Sequence, residues 1–527
     1  MVNFGKAPCN EGVIESAPGV APCPRRVGTW VLVATILCSS MAFIDGSVVN
    51  VALPVMQQDL KATATEAQWV VEAYLLFLSA LILVGGALGD RLGRRRIFAI
   101  GIVCFTLASL WCGLSPSVLQ LIVARALQGI GGALLVPGSL AIISASFSEE
   151  QRGRAIGTWS GFTAITSVAG PVIGGWLVQY ASWRWVFFIN VPLAVIVLAV
   201  LFWRVPESRD EKQRGGLDWQ GAALATFALG TLVYGLIQAG YVGFGQPLVL
   251  ACLGGSVLAA IAFVIVESRV QAPMVPLALF RLRAFSGTNG LTLFLYSALG
   301  AMTFFLPFNL IQVQGYSATA AGAALVPLIL ILFLLSRWAG GLVKRYGARL
   351  PLVVGPTVAA IGYALFAVPG IGGSYWTTFF PAALVLGLGM TITVAPLTTT
   401  VMGAVEQHHA GTASGINNAV ARVAGLLAIA VLGIVMATIF TQNLESHLML
   451  LHLPPSVQHS IEAQYVRLAA IQLPATDPAT QATLKKAIGE AFVSGFRLIM
   501  LICAGLALLS ALCAGLTIEG RRAQSRQ

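Results

Sequence analysis

This sequence is short of charge. Only 10% of its 527 residues are Asp, Glu, Lys or Arg, whereas a soluble domain carries about a quarter. A polypeptide so poor in charge cannot cover itself with a hydrated surface, which excludes an ordinary soluble globule. Histidine is scarce too, five in all, and none falls in a long apolar stretch. Carboxylates are therefore the ordinary proton carriers left to those stretches. No GxxxxGK[ST], HExxH, GxSxG or CxxC pattern occurs, which argues against direct ATP hydrolysis and against zinc, serine-nucleophile or dithiol chemistry. No catalytic residue, metal site or organic cofactor is expected. His447, His452 and His459 match no zinc spacing and read as a solvated surface. Among the eight cysteines, Cys38, Cys104, Cys112, Cys252, Cys503 and Cys513 fall in apolar stretches and Cys9 and Cys23 in the N-terminal tail. They read as small packing residues, not as a disulfide framework.

What is present is apolar: 57% hydrophobic residues and a mean hydropathy of +0.85. Stretches of roughly 18–25 apolar residues recur from Thr29 to near the C-terminus, each long enough to cross a hydrocarbon core about 30 Å thick as a helix. Fourteen spans are expected near 28–52, 69–88, 97–114, 118–146, 157–179, 185–203, 219–239, 247–266, 287–312, 320–343, 351–369, 376–402, 412–440 and 494–517. The first is read as retained, not as a cleaved signal peptide. The net charge of +11 is decided by placement. Clusters such as Arg94 to Arg96, Arg152 with Arg154, Lys344 to Arg349 and Arg521 to Arg526 fall on one face, as the positive-inside rule demands of a cytosolic face. Both termini are expected there, and the basic total implies a lipid bilayer and no nucleic acid.

The polar, proline-bearing segment 442–491 breaks the rhythm of short loops and is expected outside, as a hairpin or as amphipathic helices. Weak internal symmetry gives the domain plan. GALGDRLGRRR (Gly86 to Arg96) is echoed by GGLVKRYGAR (Gly340 to Arg349), and EEQRGRAIGTWSG (Glu149 to Gly161) by VEQHHAGTASG (Val405 to Gly415). The copies lie about 255 residues apart, the mark of a duplicated bundle. The expected organisation is a tail 1–27, a six-helix bundle 28–204, two inserted helices in 205–270, a second six-helix bundle 271–517 and a tail 518–527.

Six motifs in order carry a resemblance: FIDGSVVNVALP (Phe43 to Pro54), the GxLxDRxGRR turn, RALQGIGGA (Arg125 to Ala133), AGPVIGG (Ala169 to Gly175), WRWVFFINVP (Trp183 to Pro192) and LDWQG (Leu217 to Gly221). With them the chain resembles the major facilitator superfamily, in its fourteen-span drug:proton antiporter branch, over nearly the whole length. The resemblance implies an all-α fold of two six-helix bundles plus two inserted helices in a bacterial cytoplasmic (inner) membrane, driven by the proton-motive force.

The residues can be weighed on their own chemistry. Asp45 lies roughly 9 Å from the outer end of span 1 at 1.5 Å per residue. Ionised, it costs several kcal/mol there, so it is expected to face a cavity where it can take up a proton or exchange it for a cation. The alternative is a carboxyl that merely hydrogen-bonds a neighbouring helix. Glu72, about one turn inside span 2, is either a second proton or cation site or a solvated rim glutamate. Arg125 needs a partner, and Asp45 is the natural one; otherwise it ties helices together through backbone carbonyls. The resemblance implies that Arg125 tunes proton uptake by Asp45. It further implies that Asp90, Arg91, Gly93, Arg94 and Arg95 form a cytosolic latch, although positive charge alone also fixes topology. Gly170, Pro171, Gly174 and Gly175 offer a smooth face and a backbone break in span 5, a set that resembles exporters. Candidates for a substrate cavity are Met41, Asn50 and Gln128 in the N-terminal half and Phe304, Phe308, Asn309, Gln312 and Arg422 in the C-terminal half. Core or lipid packing is the competing role for the aromatic residues, and Arg337 reads as a snorkelling charge.

These features point to proton-coupled antiport that exports small lipophilic or cationic compounds by alternating access. An exporter of one metabolite, siderophore or lipid-like acid would keep the same fold, and a non-transporting sensor is the more distant reading. A periplasmic adaptor and an outer-membrane channel are conceivable partners.

Overall fold

The computed structural model describes residues 25–208, 218–270, 273–405, 410–451, 453–474 and 477–519. Both tails and the basic residues between Ser208 and Asp218 lie outside the described residues. Its main helices are α1 (Arg25–Asp59), α2 (Ala64–Leu92), α3 (Arg94–Leu114), α4 (Val118–Ser146), α5 (Glu149–Tyr180), α6 (Trp185–Arg204) and α7 (Trp219–Val242). They continue as α8 (Pro247–Arg269), α9 (Arg283–Phe308), α10 (Val326–Tyr346), α11 (Arg349–Phe366), α12 (Phe379–Gly403), α13 (Ala410–Leu450) and α14 (Pro478–Thr517). Thirteen helical stretches among the described residues are long and apolar enough to cross a membrane. The remaining helix, α5, has 32 residues and lies where the fifth span is expected.

Polar caps set the ends that hydropathy misjudges. Thr63 and Glu66 close a reciprocal box at the start of α2: Thr63 N–H donates to Glu66 Oε2 at 2.8 Å and Glu66 N–H to Thr63 Oγ1 at 3.1 Å. This pairing satisfies donors that a helix start otherwise leaves open. Asp477 accepts from Thr480 N–H at 2.9 Å, and Pro478 occupies the first helical position of α14, where a missing N–H costs nothing. So α14 begins at Pro478 instead of near 494, and α13 runs to Leu450 instead of ending near 440. Much of the expected outer loop is thus polar helix. Between them lie a short helix, Pro455–Glu462, and a 3-10 turn, Tyr465–Ala470: helices, not a hairpin.

Contacts divide the chain into two compact units. Unit 1 comprises Met1–Val49, Ala73–Leu229 and Leu258–Pro276; unit 2 comprises Asn50–Glu72, Gly230–Val257 and Leu277–Gln527. In unit 1, α3 packs on α4 and α6 around a core that includes Val31, Cys38, Met41, Leu78, Phe98, Phe105 and Leu135. Gly131 permits that approach, since a Cβ there would stand 2.5 Å from the Phe105 nitrogen. In unit 2, α11 lies against α12 and α14, and α9 against α13 and α14. The α1–α2 turn belongs to this unit through side-chain bonds: Gln57 Nε2 donates to the Arg467 carbonyl at 3.2 Å, and Gln312 Nε2 to Gln57 Oε1 at 3.0 Å. After Pro307 in α9 the backbone widens into one π turn, Asn309–Val313, a feature often found beside functional sites. Exposed Leu, Ile and Val along α8, among them Leu250, Leu258, Ile261 and Val264, are what lipid contact requires.

Candidate functional site

Asp45 and Arg125 meet. Arg125 Nη1 donates to Asp45 Oδ2 at 2.6 Å, with the two side chains 1% and 0% exposed. The second carboxylate oxygen, Oδ1, accepts from Gln128 Nε2 at 2.7 Å and Asn190 Nδ2 at 3.3 Å. Further bonds extend from this centre. Arg125 Nη1 also reaches Gln128 Oε1 at 2.7 Å, and Asn190 Nδ2 donates to Ser109 Oγ at 2.9 Å. The guanidinium carbon lies 4.3 Å from the centre of the Tyr74 ring, within cation–π range. One anion, one cation and two amides thus compensate each other where water does not reach, which is the condition for burying charge at all.

Helix geometry explains the gathering. Arg125 and Gln128 are three residues apart on α4 and share a face, directed at α1. Asn190 comes from the start of α6. Asp45 was expected to face a cavity; it is instead enclosed, with both oxygens engaged. Gln128, expected among substrate contacts, holds Asp45. Met41 is enclosed in the apolar core at 0% exposure. On α5, Gly170 and Gly174 admit α1: a Cβ on Gly174 would stand 2.5 Å from Val48 Cγ1, and one on Gly170 would meet Ser47 Oγ. Pro171 and Gly175 are buried beside them. The small-residue face therefore fixes the helix that carries Asp45.

At the α2–α3 turn, Arg94 Nε donates to Asp90 Oδ1 at 2.8 Å. Gly93 takes φ +111°, a conformation costly for residues with a Cβ. Arg91 lies half-buried in the last turn of α2, where positive charge suits the helix dipole. An unforeseen residue completes the turn: Glu207 Oε1 accepts from Arg95 N–H at 2.9 Å, while its Oε2 stands 3.9 Å from Arg95 Nε and Arg96 Nε. A carboxylate at the N-terminus of α3 is favoured by the dipole and by the open N–H groups.

Unit 2 holds the second buried carboxylate. Glu72 is 0% exposed, so it is no solvated rim residue. Its Oε1 accepts from Gln68 Nε2 at 2.9 Å, while Oε2 is buried with no hydrogen-bond partner among the described residues. Gln68 Nε2 donates as well to the Ile429 carbonyl at 3.0 Å. Phe304 and Phe308 line a cavity of about 320 Å³ that Gln68 also borders. Asn309 is buried and accepts from Gln314 Nε2 at 3.1 Å, and Gln312 anchors Gln57. Asn50 and Arg422 are half-buried on α1 and α13.

Apolar helices in series, a charge pair sealed among them and a separate aromatic cavity define a multi-pass membrane transporter. A sequence profile of the Major Facilitator Superfamily matches residues 35–429, and the chain belongs to that superfamily. It is similar to the tetracenomycin C resistance and export protein of Streptomyces glaucescens, at 34% identity, covering 94% of this chain and 93% of that one. The puromycin resistance protein pur8 of Streptomyces alboniger is 37% identical over 80% of this chain and 84% of its own length. The multidrug resistance protein Stp of Mycobacterium tuberculosis is 34% identical over 84% and 82%. Among solved structures, an inward-facing bacterial homologue of the human lysosomal transporter Spinster shares the fold, with TM-score 0.60 at 17% identity over 93% of this chain and 98% of that one.

Proposed function

We propose that the chain exports small lipophilic or cationic compounds across a bacterial cytoplasmic membrane in exchange for protons, with both termini in the cytosol. The observation that carries the coupling is the buried Asp45–Arg125 pair. A proton placed on Asp45 cancels its charge and frees Arg125 from its anion. The pair is then unbalanced, and the helices that hold it are pushed towards another packing. Loss of the proton on the opposite side restores the pair. No metal or organic cofactor enters: one elementary charge crossing 100 mV supplies about 2.3 kcal/mol, to which the pH gradient adds. Glu72 supplies a second carboxyl for a proton or cation. Asp90 and the arginines beside it would hold one transport state at the cytosolic turn. The similarity to resistance and export proteins supports outward transport of drugs or antibiotics. An adaptor and an outer-membrane channel would extend the route across a second membrane, but the exchange itself needs neither.

The test is efflux from proteoliposomes under an imposed pH gradient, comparing the intact chain with Asp45→Asn and Glu72→Gln. Uphill transport should vanish with Asp45→Asn. If both variants still pumped uphill at the normal rate, the proposed coupling would be wrong. A narrower reading, export of one natural product, is favoured by relatives named for single antibiotics, such as the tetracenomycin C and puromycin proteins. Competition among unrelated compounds for efflux separates the two.

A further inference from the structure

The cavity in unit 2 takes no part in the Asp45 network. One wall is aromatic. Phe304, Phe305 and Phe308 stand together on α9, with ring centres 4.9 Å apart for Phe304 and Phe305 and 5.5 Å for Phe304 and Phe308, and Phe492 of α14 also borders the space. The polar end is Gln68. Both contacts of its amide nitrogen, Glu72 and the Ile429 carbonyl, are internal, so its oxygen is the group left for a guest, and that oxygen asks for a donor. One turn along α2, the fully buried Glu72 keeps its Oε2 without a hydrogen-bond partner among the described residues, and a carboxyl so placed favours a positively charged neighbour.

The 3-10 turn that borders the cavity has the same preference. Tyr465 and Leu468 of the 3-10 turn line the cavity, and the Tyr465 hydroxyl is buried without a hydrogen-bond partner among the described residues. Burial pushes that phenol up to about 12, with Glu445 and Glu462 adding to the shift, so two acidic residues act on this hydroxyl. Arg467, the cation on this turn, has its Nη1 3.5 Å from Gln464 Oε1. Leu468 takes φ +53°, a genuine departure for a bulky side chain. Such strain persists only where the surroundings impose it and gathers at clamps and switches. The turn is tied down through the Arg467 carbonyl by Gln57.

We propose that this cavity is a second binding site, for a flat aromatic cation of about three fused rings, with the Tyr465–Ala470 turn as its lid and Gln68 backed by Glu72 as its polar end. Its volume of about 320 Å³ stands at the lower edge of small-molecule sites, roughly 300–1,000 Å³. As a station for outgoing cargo it rests on the export reading above; as a binding site it does not.

Ethidium, a three-ring aromatic cation, is the probe, titrated by fluorescence anisotropy against the full chain in lipid nanodiscs. The Asp45→Asn background is used so that binding is read where export is expected to fail. In that background ethidium should still bind, and adding Glu72→Gln or Phe308→Ala should weaken it about tenfold. Should either addition fail to fold, Leu468→Cys gives an independent measurement. Maleimide labelling at that position, followed by peptide mass spectrometry, should slow at least fivefold with ethidium present. Binding that is lost in Asp45→Asn alone, unmoved by Glu72→Gln and Phe308→Ala, or without effect on labelling at position 468 overturns the proposal. Uphill export that survives Asp45→Asn while ethidium behaves as expected would instead refute only the coupling.

Discussion

Asp45 and Glu72 are both carboxylates at 0% exposure, yet their surroundings are opposite. Asp45 has a guanidinium and two amides on its oxygens; Glu72 has one amide and an oxygen with no hydrogen-bond partner among the described residues. Burial sets the cost of a charge, but the partners decide what the group can do. A saturated pair is a balanced element that a proton unbalances. A carboxyl with one partner still has an attraction to offer a guest.

The sharpest way to break this contrast is to remove the cation from the saturated pair. Arg125→Ala leaves Asp45 buried without compensation and should cost about 3–5 kcal/mol, read as a loss of thermal stability in detergent. Adding Asp45→Asn should recover a large part of that loss. An Arg125→Ala variant that melts like the intact chain would show that the pair is not compensating. Next in size, Asp45→Asn alone should reduce uphill efflux by tenfold or more, a change of at least about 1.4 kcal/mol. Glu72→Gln should lower it less and change substrate preference away from cations, which competition assays would register.

A smaller effect is expected at the α2–α3 turn. Gly93→Ala places a Cβ 2.8 Å from Glu207 Cδ at φ +111°, and the left-handed conformation alone should cost about 1–2 kcal/mol. Glu207→Gln keeps the shape and removes the charge, so it should destabilise less; equal melting temperatures for the two would assign the turn's strength to charge instead of backbone. The smallest effect concerns pH. Hydrogen bonds from Thr480, its side chain first and then its N–H, hold the Asp477 carboxyl below the ordinary aspartate range. A lowered value in the folded state means that its support of α14 is complete above about pH 4, the unfolded value, and fades as pH falls through the folded one. Amide hydrogen exchange at 480–482 should quicken, relative to the intrinsic rate, over that interval and not in Asp477→Asn.

How far these regions could be read beforehand differs for a physical reason. The meeting of Asp45 and Arg125 was legible because charges in apolar helices are few and must find each other. Glu72 was misjudged in depth. Hydropathy starts span 2 near 69, where the residue looks peripheral, but the Thr63–Glu66 cap starts the helix at Ala64 and sets Glu72 about two turns in. Asn190 and Glu207 were missed as site residues. Asn190 stands inside a quoted motif, WRWVFFINVP, and a lone amide in so apolar a run was the available signal. Nothing separated Glu207 from the charges scattered through a basic loop.

The sequence by itself determined that the chain lives in a bilayer and roughly where its helices run, because apolar length and charge placement are local properties that lipid reads directly. It also left carboxylates as the ordinary titratable groups of the expected spans, since no histidine falls within them. Only the tertiary structure decided which polar groups meet. Residues 45, 125, 128 and 190 come within hydrogen-bonding distance through the packing of α1, α4 and α6, and close approach at residues such as Gly131 and Gly174 depends on the shapes of two helices at once, which no single stretch of chain contains.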